Sequence, residues 1–277
     1  MSRPMILAQN GWYPLSQDEC KKEIKKYINE KIFIEGKNPV SCVVPHAGWY
    51  FCGELSVNTI RILKEKNGDI KHIFIFGGHL SESNMPILET FDYADTPFGK
   101  LKNNIEVLTF FENNPNIQRI EFLQDNTIEV LLPIVKYFFG ERITVTAIYL
   151  PPNARIKNLI DELYDKFGNY SVFIGSTDLT HYGFNYNFFH KDKNIDPVTW
   201  VKTVNDKKYI ELLLKIQGDE SIEYAIKNKA ACSSGAAFGA LTAAKIKGVK
   251  NGTLIGYSTS YDKHKDSSFV GYAGIIF

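Results

Sequence analysis

The chain has 277 residues, of which 44% are hydrophobic and 23% charged, the balance of a folded globular protein rather than a disordered, collagenous or membrane-embedded one. Its 32 basic and 31 acidic residues nearly cancel, which argues against recruitment of nucleic acid or of an anionic bilayer by a global field. No apolar run reaches the length of a membrane span and the apolar stretch at the N-terminus is too short for a signal peptide, so a cytoplasmic location is expected.

Along the chain, Ser16 to Glu19 reads S-x-x-E, a capping box opening an amphipathic helix expected to run through about residue 31. "PVSCVV" has the character of a buried strand; after the "PHAG" turn, "ELSVNTIRILKEK" has helical spacing, and "HIFIF" is a second apolar strand closing on Gly77 and Gly78. The alternation continues with "RIEFL", the helical "TIEVLLPIVKYFFG", "RITVTAIYL", a helix over "ARIKNLIDELYDKFG", and "YSVFIGS". "GTLIGYSTSY" and "SSFVGYAGIIF" predict a late antiparallel pair, and the helical stretch from about 196 to 247 is either a small cap or part of the body.

Strands apolar on both faces, alternating with helices, predict an α/β fold: a three-layer α/β/α sandwich with a mostly parallel mixed sheet. No linker or low-complexity segment interrupts residues 1–277, so one domain is expected. Cys20, Cys42, Cys52 and Cys232 show no CxxC spacing, and a chain of this size needs no disulfides, so free thiols are expected.

In such sheets ligands gather beyond the carboxyl ends of the strands. His46, His79 and His181 each follow a predicted strand, whereas His72 begins one and belongs at the opposite edge. A lone histidine there is usually a hydrogen-bonded structural residue, but three at one edge favour a shared metal or catalytic site, since neutral imidazole is the commonest metal ligand. Cys232 lies at the start of a helix of small residues, where the dipole favours thiolate, although composition alone favours a small buried hydrophobe. Cys52 begins the helix after the "PHAG" turn and is a candidate neighbour of His46. Asp178, three residues before His181, can orient that imidazole and can close an Asx turn, and the two readings are compatible. Asp125 and Glu129 flank a helix start with Asn126 or Thr127 as its cap, and Glu129 is one turn in, within reach of the strand edge. No GxGxxG, Walker A, GxSxG or HExxH pattern occurs, so no nucleotide cofactor is expected.

"VVPHAGWYFCG", "IFIFGGH", "LQDNTIEVLLP", "GSTDLTHYG", "AACSSG" and "DSSFVGYAG", with the N-terminal "GWYP", resemble the Memo family, also called AmmeMemoRadiSam system protein B, over nearly the whole chain. The resemblance implies kinship with class III extradiol dioxygenases and their α/β/α fold and non-haem iron. It assigns His46, His79 and Cys232 to metal-ligand positions, and Asp178 and His181 to acid/base or supporting positions. The family's usual turn is longer than Gly77-Gly78-His79-Leu80 and carries a second histidine, and Asn126 stands where relatives commonly have histidine. Association with AMMECR-type and radical-SAM proteins implies a shared pathway.

Three functions follow as expectations. The first is a mononuclear iron or copper site, with zinc as a further candidate, doing oxygen- or redox-linked chemistry on an unknown small-molecule or peptide ligand, His181 moving protons and Asp178 orienting it. The second is a peptide- or partner-binding protein on an enzyme fold. The third is a metal-free Cys232 nucleophile with His181 as base.

Overall fold

The structure is a computed structural model that describes residues 1–34, 38–192 and 194–277. In chain order its principal elements are α1 (Gln17–Tyr27), β1 (Ser41–Val44), α2 (Trp49–Glu65), β2 (His72–Gly77), β3 (Leu101–Asn103), α3 (Leu132–Phe139), β4 (Thr144–Tyr149), α4 (Ile156–Phe167), β5 (Ser171–Ser176), α5 (Asp206–Leu214), α6 (Gly218–Asn228), α7 (Ser234–Ile246), β6 (Thr253–Thr259) and β7 (Phe269–Ile276). Across the sheet the principal strands run β3-β4-β2-β5-β1-β7. β3, β4, β2, β5 and β1 are mutually parallel, β7 is antiparallel to β1, and β6 pairs antiparallel with β7. The expected sandwich and its late antiparallel pair are what the chain forms.

The physical basis is side-chain alternation. Phe74, Phe76, Val43 and Phe173 face one apolar layer with α4 and α7, while Ile73, Ile75, Val44 and Ile174 face the other with α2 and α3. Because strand side chains alternate, only a strand apolar at every position can serve two covered faces. α7 lies close against the sheet: a Cβ at Gly175 of β5 would come within 2.5 Å of the Ala236 carbonyl oxygen. The end of the stretch that was a candidate cap is therefore a layer of the body.

Three elements differ from expectation, each for a local reason. α1 stops at Tyr27 because Asn58 takes over its end, donating to the Tyr27 carbonyl at 2.8 Å and accepting from Asn29 N–H at 2.9 Å. Ser16 caps its start, yet the Glu19 carboxylate turns to the Ser16 hydroxyl at 2.7 Å. The helix expected over 127–140 divides into a turn at Asn126–Glu129 and α3, since Pro133 has no N–H to offer the preceding turn. "RIEFL" contributes only Arg119 and Ile120 to a short strand, Gln118–Ile120, which pairs with Ile87–Glu89 beside β4. The short strands Ser2–Arg3 and Tyr93–Ala94, too brief to carry a sequence period, extend the sheet past β3.

All four cysteines are free. Among the described residues no helix is long and apolar enough to cross a membrane. Val44 pairs with Ser176 and Phe76 with Gly175, so β1, β2 and β5 end together at one edge. His72, at the other end of β2, is fully buried, and burial lowers its pKa to about 3.

Candidate metal centre

The three aligned strand ends deliver the pieces of one cluster. Pro45 turns the chain out of β1 and leaves His46 1% exposed, with its backbone N–H donating to Asp178 Oδ1 at 2.7 Å. Its ring is held from behind by Ser176 Oγ, 3.1 Å from Nδ1, so Nε2 points to Cys232 Sγ at 3.2 Å. After β2, Gly78 adopts φ +105, a conformation costly for any residue with a Cβ, and its N–H donates to Thr127 Oγ1. This contracted turn still brings His79 beside His46, the two rings 5.2 Å apart and nearly perpendicular. His79 Nδ1 meets Asp125 Oδ2 at 3.1 Å, leaving Nε2 as its free nitrogen.

Cys232 arrives from the other side. Its backbone N–H donates to the Asp178 carbonyl at 3.2 Å, Asp178 N–H returns a bond to Sγ at 3.3 Å, and Ser233 N–H donates to Thr177 Oγ1 at 3.0 Å. The start of α7 is pressed so closely on the loop after β4 that a Cβ at Gly235 would fall 2.3 Å from the Leu150 carbonyl oxygen. The thiol is thus set by packing of backbone on backbone. One donor atom from each of His46, His79 and Cys232 lies within 4.8 Å of the others.

Electrostatics couples the three. Burial opposes ionisation of Cys232, yet His46 and His79 outweigh it and hold its pKa well below the usual thiol value. Burial likewise opposes protonation of His46, but Asp178 and the thiolate raise its pKa to about 8. For His79 the bond to Asp125 is the largest influence and the pKa rises to about 10. Without metal the cluster is a thiolate held by imidazolium groups, and a cation replacing those protons meets donors already facing it. In front of it opens a cavity of about 470 Å³.

Residues 3–276 match the family model described as Memo-like protein. The chain belongs to the Memo-like family. It is 26% identical to a MEMO1 family protein of Methanosarcina barkeri over 284 residues, spanning 100% of this chain and 99% of that protein. A MEMO1 family protein of Methanococcoides burtonii is 27% identical, with the same shares covered. An uncharacterized protein from Escherichia coli K12 shares the fold, with a TM-score of 0.52 over 84% of this chain and 98% of that one at 10% identity.

In this Memo-like chain some candidate residues take partners other than those expected. Asp178 faces His46, with His46 Nε2 3.8 Å from its Oδ2, and closes no local turn. His181 instead takes its orientation from the Leu179 carbonyl, 3.1 Å from Nδ1, and its ring lies edge-on to Tyr186 at the cavity wall. Asp125, rather than Asn126 or Thr127, caps the Asn126–Glu129 turn. Asn126 donates to the His46 carbonyl at 3.2 Å, a backbone contact in place of any proton relay. Cys232 precedes the Ser233 cap of α7, so its imidazole neighbours act on the thiolate directly. Cys52 turns from the cluster: its thiol donates to the Ala47 carbonyl at 3.2 Å, and burial raises its pKa well above the usual value.

Glu129 makes no contact with the three donors; it pins the N-terminal segment, accepting from Leu7 N–H at 2.6 Å and Tyr13 OH at 3.1 Å. That segment carries Trp12, whose carbonyl accepts from Trp49 N–H at 2.8 Å and whose ring walls the cavity. Sequence reasoning passed over Ser176 and the walls Trp12 and Tyr50, although "GWYP" and "GWYF" place aromatic pairs beside a glycine turn.

Asp206 was also missed. It is fully buried with no cationic partner among the described residues and accepts from Thr180 N–H, Thr180 Oγ1 and Tyr257 OH, holding the loop between Asp178 and His181. Burial raises its pKa to about 7, against 3.8 for an ordinary aspartate. The folded state therefore binds this proton more tightly than the unfolded chain does. Its contribution to stability is full below the unfolded pKa and is lost as pH rises to the folded one. Asp206→Asn is expected to remove that slope, so the wild-type minus variant difference in urea stability changes by roughly 4 kcal/mol from about pH 4 to about pH 8.

Proposed function

We propose that this Memo-like chain is a metalloprotein in which His46, His79 and Cys232 hold one iron or copper ion for oxygen- or redox-linked chemistry on an organic substrate in the adjoining cavity. The approach of the three donor atoms within 4.8 Å carries the reading. Metal–nitrogen bonds of ~2.0 Å and a metal–sulfur bond of ~2.3 Å separate tetrahedral ligands by about 3.5 Å. The 3.2 Å from His46 to Cys232 is close to that spacing. Every donor is also braced from behind: His46 by Ser176, His79 by Asp125, and the sulfur by the Asp178 N–H. Such supporting bonds are the usual companions of metal-ligating side chains.

A soft thiolate beside two imidazoles selects copper(I), zinc or thiolate-bound iron over magnesium or calcium. Iron or copper would supply electron transfer and oxygen binding, and zinc a Lewis acid. The motif resemblance to AmmeMemoRadiSam system protein B and to class III extradiol dioxygenases favours iron. His181, with Nδ1 engaged by a carbonyl, keeps Nε2 for proton transfer at the cavity wall, and Asp178 holds His46 and the thiolate in register. The test is anaerobic purification with elemental analysis, followed by titration with Fe(II), Cu(I) and Zn(II). Near-stoichiometric binding of one metal is expected; failure to bind any of the three would end the reading.

One observation favours a metal-free cysteine nucleophile as a second reading: the sulfur sits against an imidazole. The partner is His46, which replaces the His181 expected from sequence. Iodoacetamide distinguishes the two, because a bound metal protects Cys232 from alkylation, whereas a nucleophile enzyme reacts quickly whether or not metal is added.

A further inference from the structure

We infer that the cavity in front of His46, His79 and Cys232 is built for an organic cation, an ammonium-bearing molecule, and against anions. The inference takes from the metalloprotein reading the place where the ligand meets the chain. Trp12, Tyr50, Phe51, Tyr186 and Tyr272 line this cavity, Asp178 lies in its wall, and among the described residues no lysine or arginine does. Aromatic faces carry negative potential and attract ammonium groups, and the imidazoles of the cluster have their charge matched by the Cys232 sulfur and Asp125 beside them.

The rings at the mouth are costly for the fold alone. Tyr50 is 61% exposed and Tyr186 40% exposed, so neither adds much to the core. Charge points the same way. A divalent ion at the cluster would be opposed by the Cys232 thiolate, Asp125 and Asp178. These groups offset the charge of such an ion, so the cluster offers an anion no net positive field.

The remaining source of anion affinity is the start of α2, which borders the cavity at Gly48. Most of its first amides are already engaged: Trp49 N–H donates to the Trp12 carbonyl, and those of Phe51 and Cys52 turn inward to the Gly48 carbonyl, leaving Tyr50 N–H. A phosphate or carboxylate would therefore meet one amide in place of the arginine fork or the fully open helix terminus that normally binds it. Beyond Tyr50, the next groove alternates Glu19, Lys22, Glu23 and Lys26 and adds no net charge. The cavity volume of about 470 Å³ suits a small organic molecule.

Three probes of nearly one shape separate charge from size: choline, its neutral isostere 3,3-dimethylbutan-1-ol, and the anion 3,3-dimethylbutanoate. Their affinities are measured by calorimetry on zinc-loaded and metal-free protein, with metal content read separately by elemental analysis. Choline is expected to bind about tenfold more tightly than the alcohol, with the anion weakest, in both forms. Tyr50→Ala is expected to weaken choline about three- to fivefold with metal content unchanged, and Tyr50→Phe to restore it. Equal binding of choline and the alcohol, or a preference for the anion, overturns the inference. Failure to take up any of Fe(II), Cu(I) and Zn(II) with the ranking intact overturns the metalloprotein reading alone.

Discussion

Cys232→Ala is expected to lose more metal affinity than any other single substitution, by well over a hundredfold. Removing a group that merely supports a ligand costs about 10–100-fold, and Cys232 is the one anionic donor of the three, with His46 Nε2 lying 3.2 Å from its sulfur. His46→Ala should fall nearly as far, since it removes the donor 3.2 Å from the sulfur. Asp125→Asn belongs in the smaller class: it leaves His79 in place but weakens the grip on Nδ1. The measurement is competition with a chromogenic chelator, paired with melting of each protein with and without metal. A ligand that binds only the folded state raises the melting temperature in proportion to the logarithm of its concentration over its Kd. Wild type should rise with added metal and Cys232→Ala should not. Its metal-free melting temperature falls somewhat, because the thiolate beside the buried His46 is gone, so the metal-induced rise of each protein is the quantity compared. A variant that keeps wild-type affinity would remove the sulfur from the site altogether.

How much of this was legible in the sequence depends on whether an interaction is periodic or long-range. β2 could be read from "HIFIF" because both faces are covered, so Phe74 and Phe76 on one side and Ile73 and Ile75 on the other leave no polar gap. The meeting of His46 and His79 followed from the same logic, since parallel strands in register end together and whatever follows them shares an edge, whereas Cys232, at the start of a helix, was placed with them only by the family resemblance. The partner of Asp178 was not legible. Its nearest histidine in sequence is His181, three residues on, but the bond it makes is to His46, 132 residues away. Chain proximity is a weak guide where a loop turns sharply, and the Leu179 carbonyl had already taken the His181 ring. Asp206 and Arg3 were silent for a related reason. Each is one charged residue in an otherwise ordinary segment, and only the tertiary structure makes it buried.

Arg3 carries the largest expected effect on stability. Its guanidinium lies between two buried carboxylates, with Nε 3.0 Å from Glu89 and Nη1 3.5 Å from Glu129, while Nη2 donates to the Leu123 carbonyl at 3.1 Å. Glu89 also accepts from Tyr149 OH at 2.6 Å and from Leu123 N–H at 2.7 Å, so its charge is well solvated by donors but paired with one cation only. Arg3→Met preserves length and removes the charge, leaving two carboxylates with no counter-ion out of water. Breaking a buried pair in this way costs about 3–5 kcal/mol. Burial already raises the Glu89 pKa with Arg3 present, so in the variant it rises further. The folded variant then binds a proton that its unfolded chain releases, and it is relatively more stable at low pH. Its deficit against wild type should accordingly be greatest near neutral pH and shrink as the solution is acidified toward the unfolded carboxylate range. Arg3→Met combined with Glu89→Gln should recover part of the loss at neutral pH, since the amide needs no counter-ion. The same network connects stability to the site, because Glu129 anchors Leu7 and Tyr13 on either side of the segment that carries Trp12. Urea denaturation across pH checks the first part. The choline affinity of the folded variant checks the second, and a deficit independent of pH would show that packing around Arg3, and not its charge, holds that corner together.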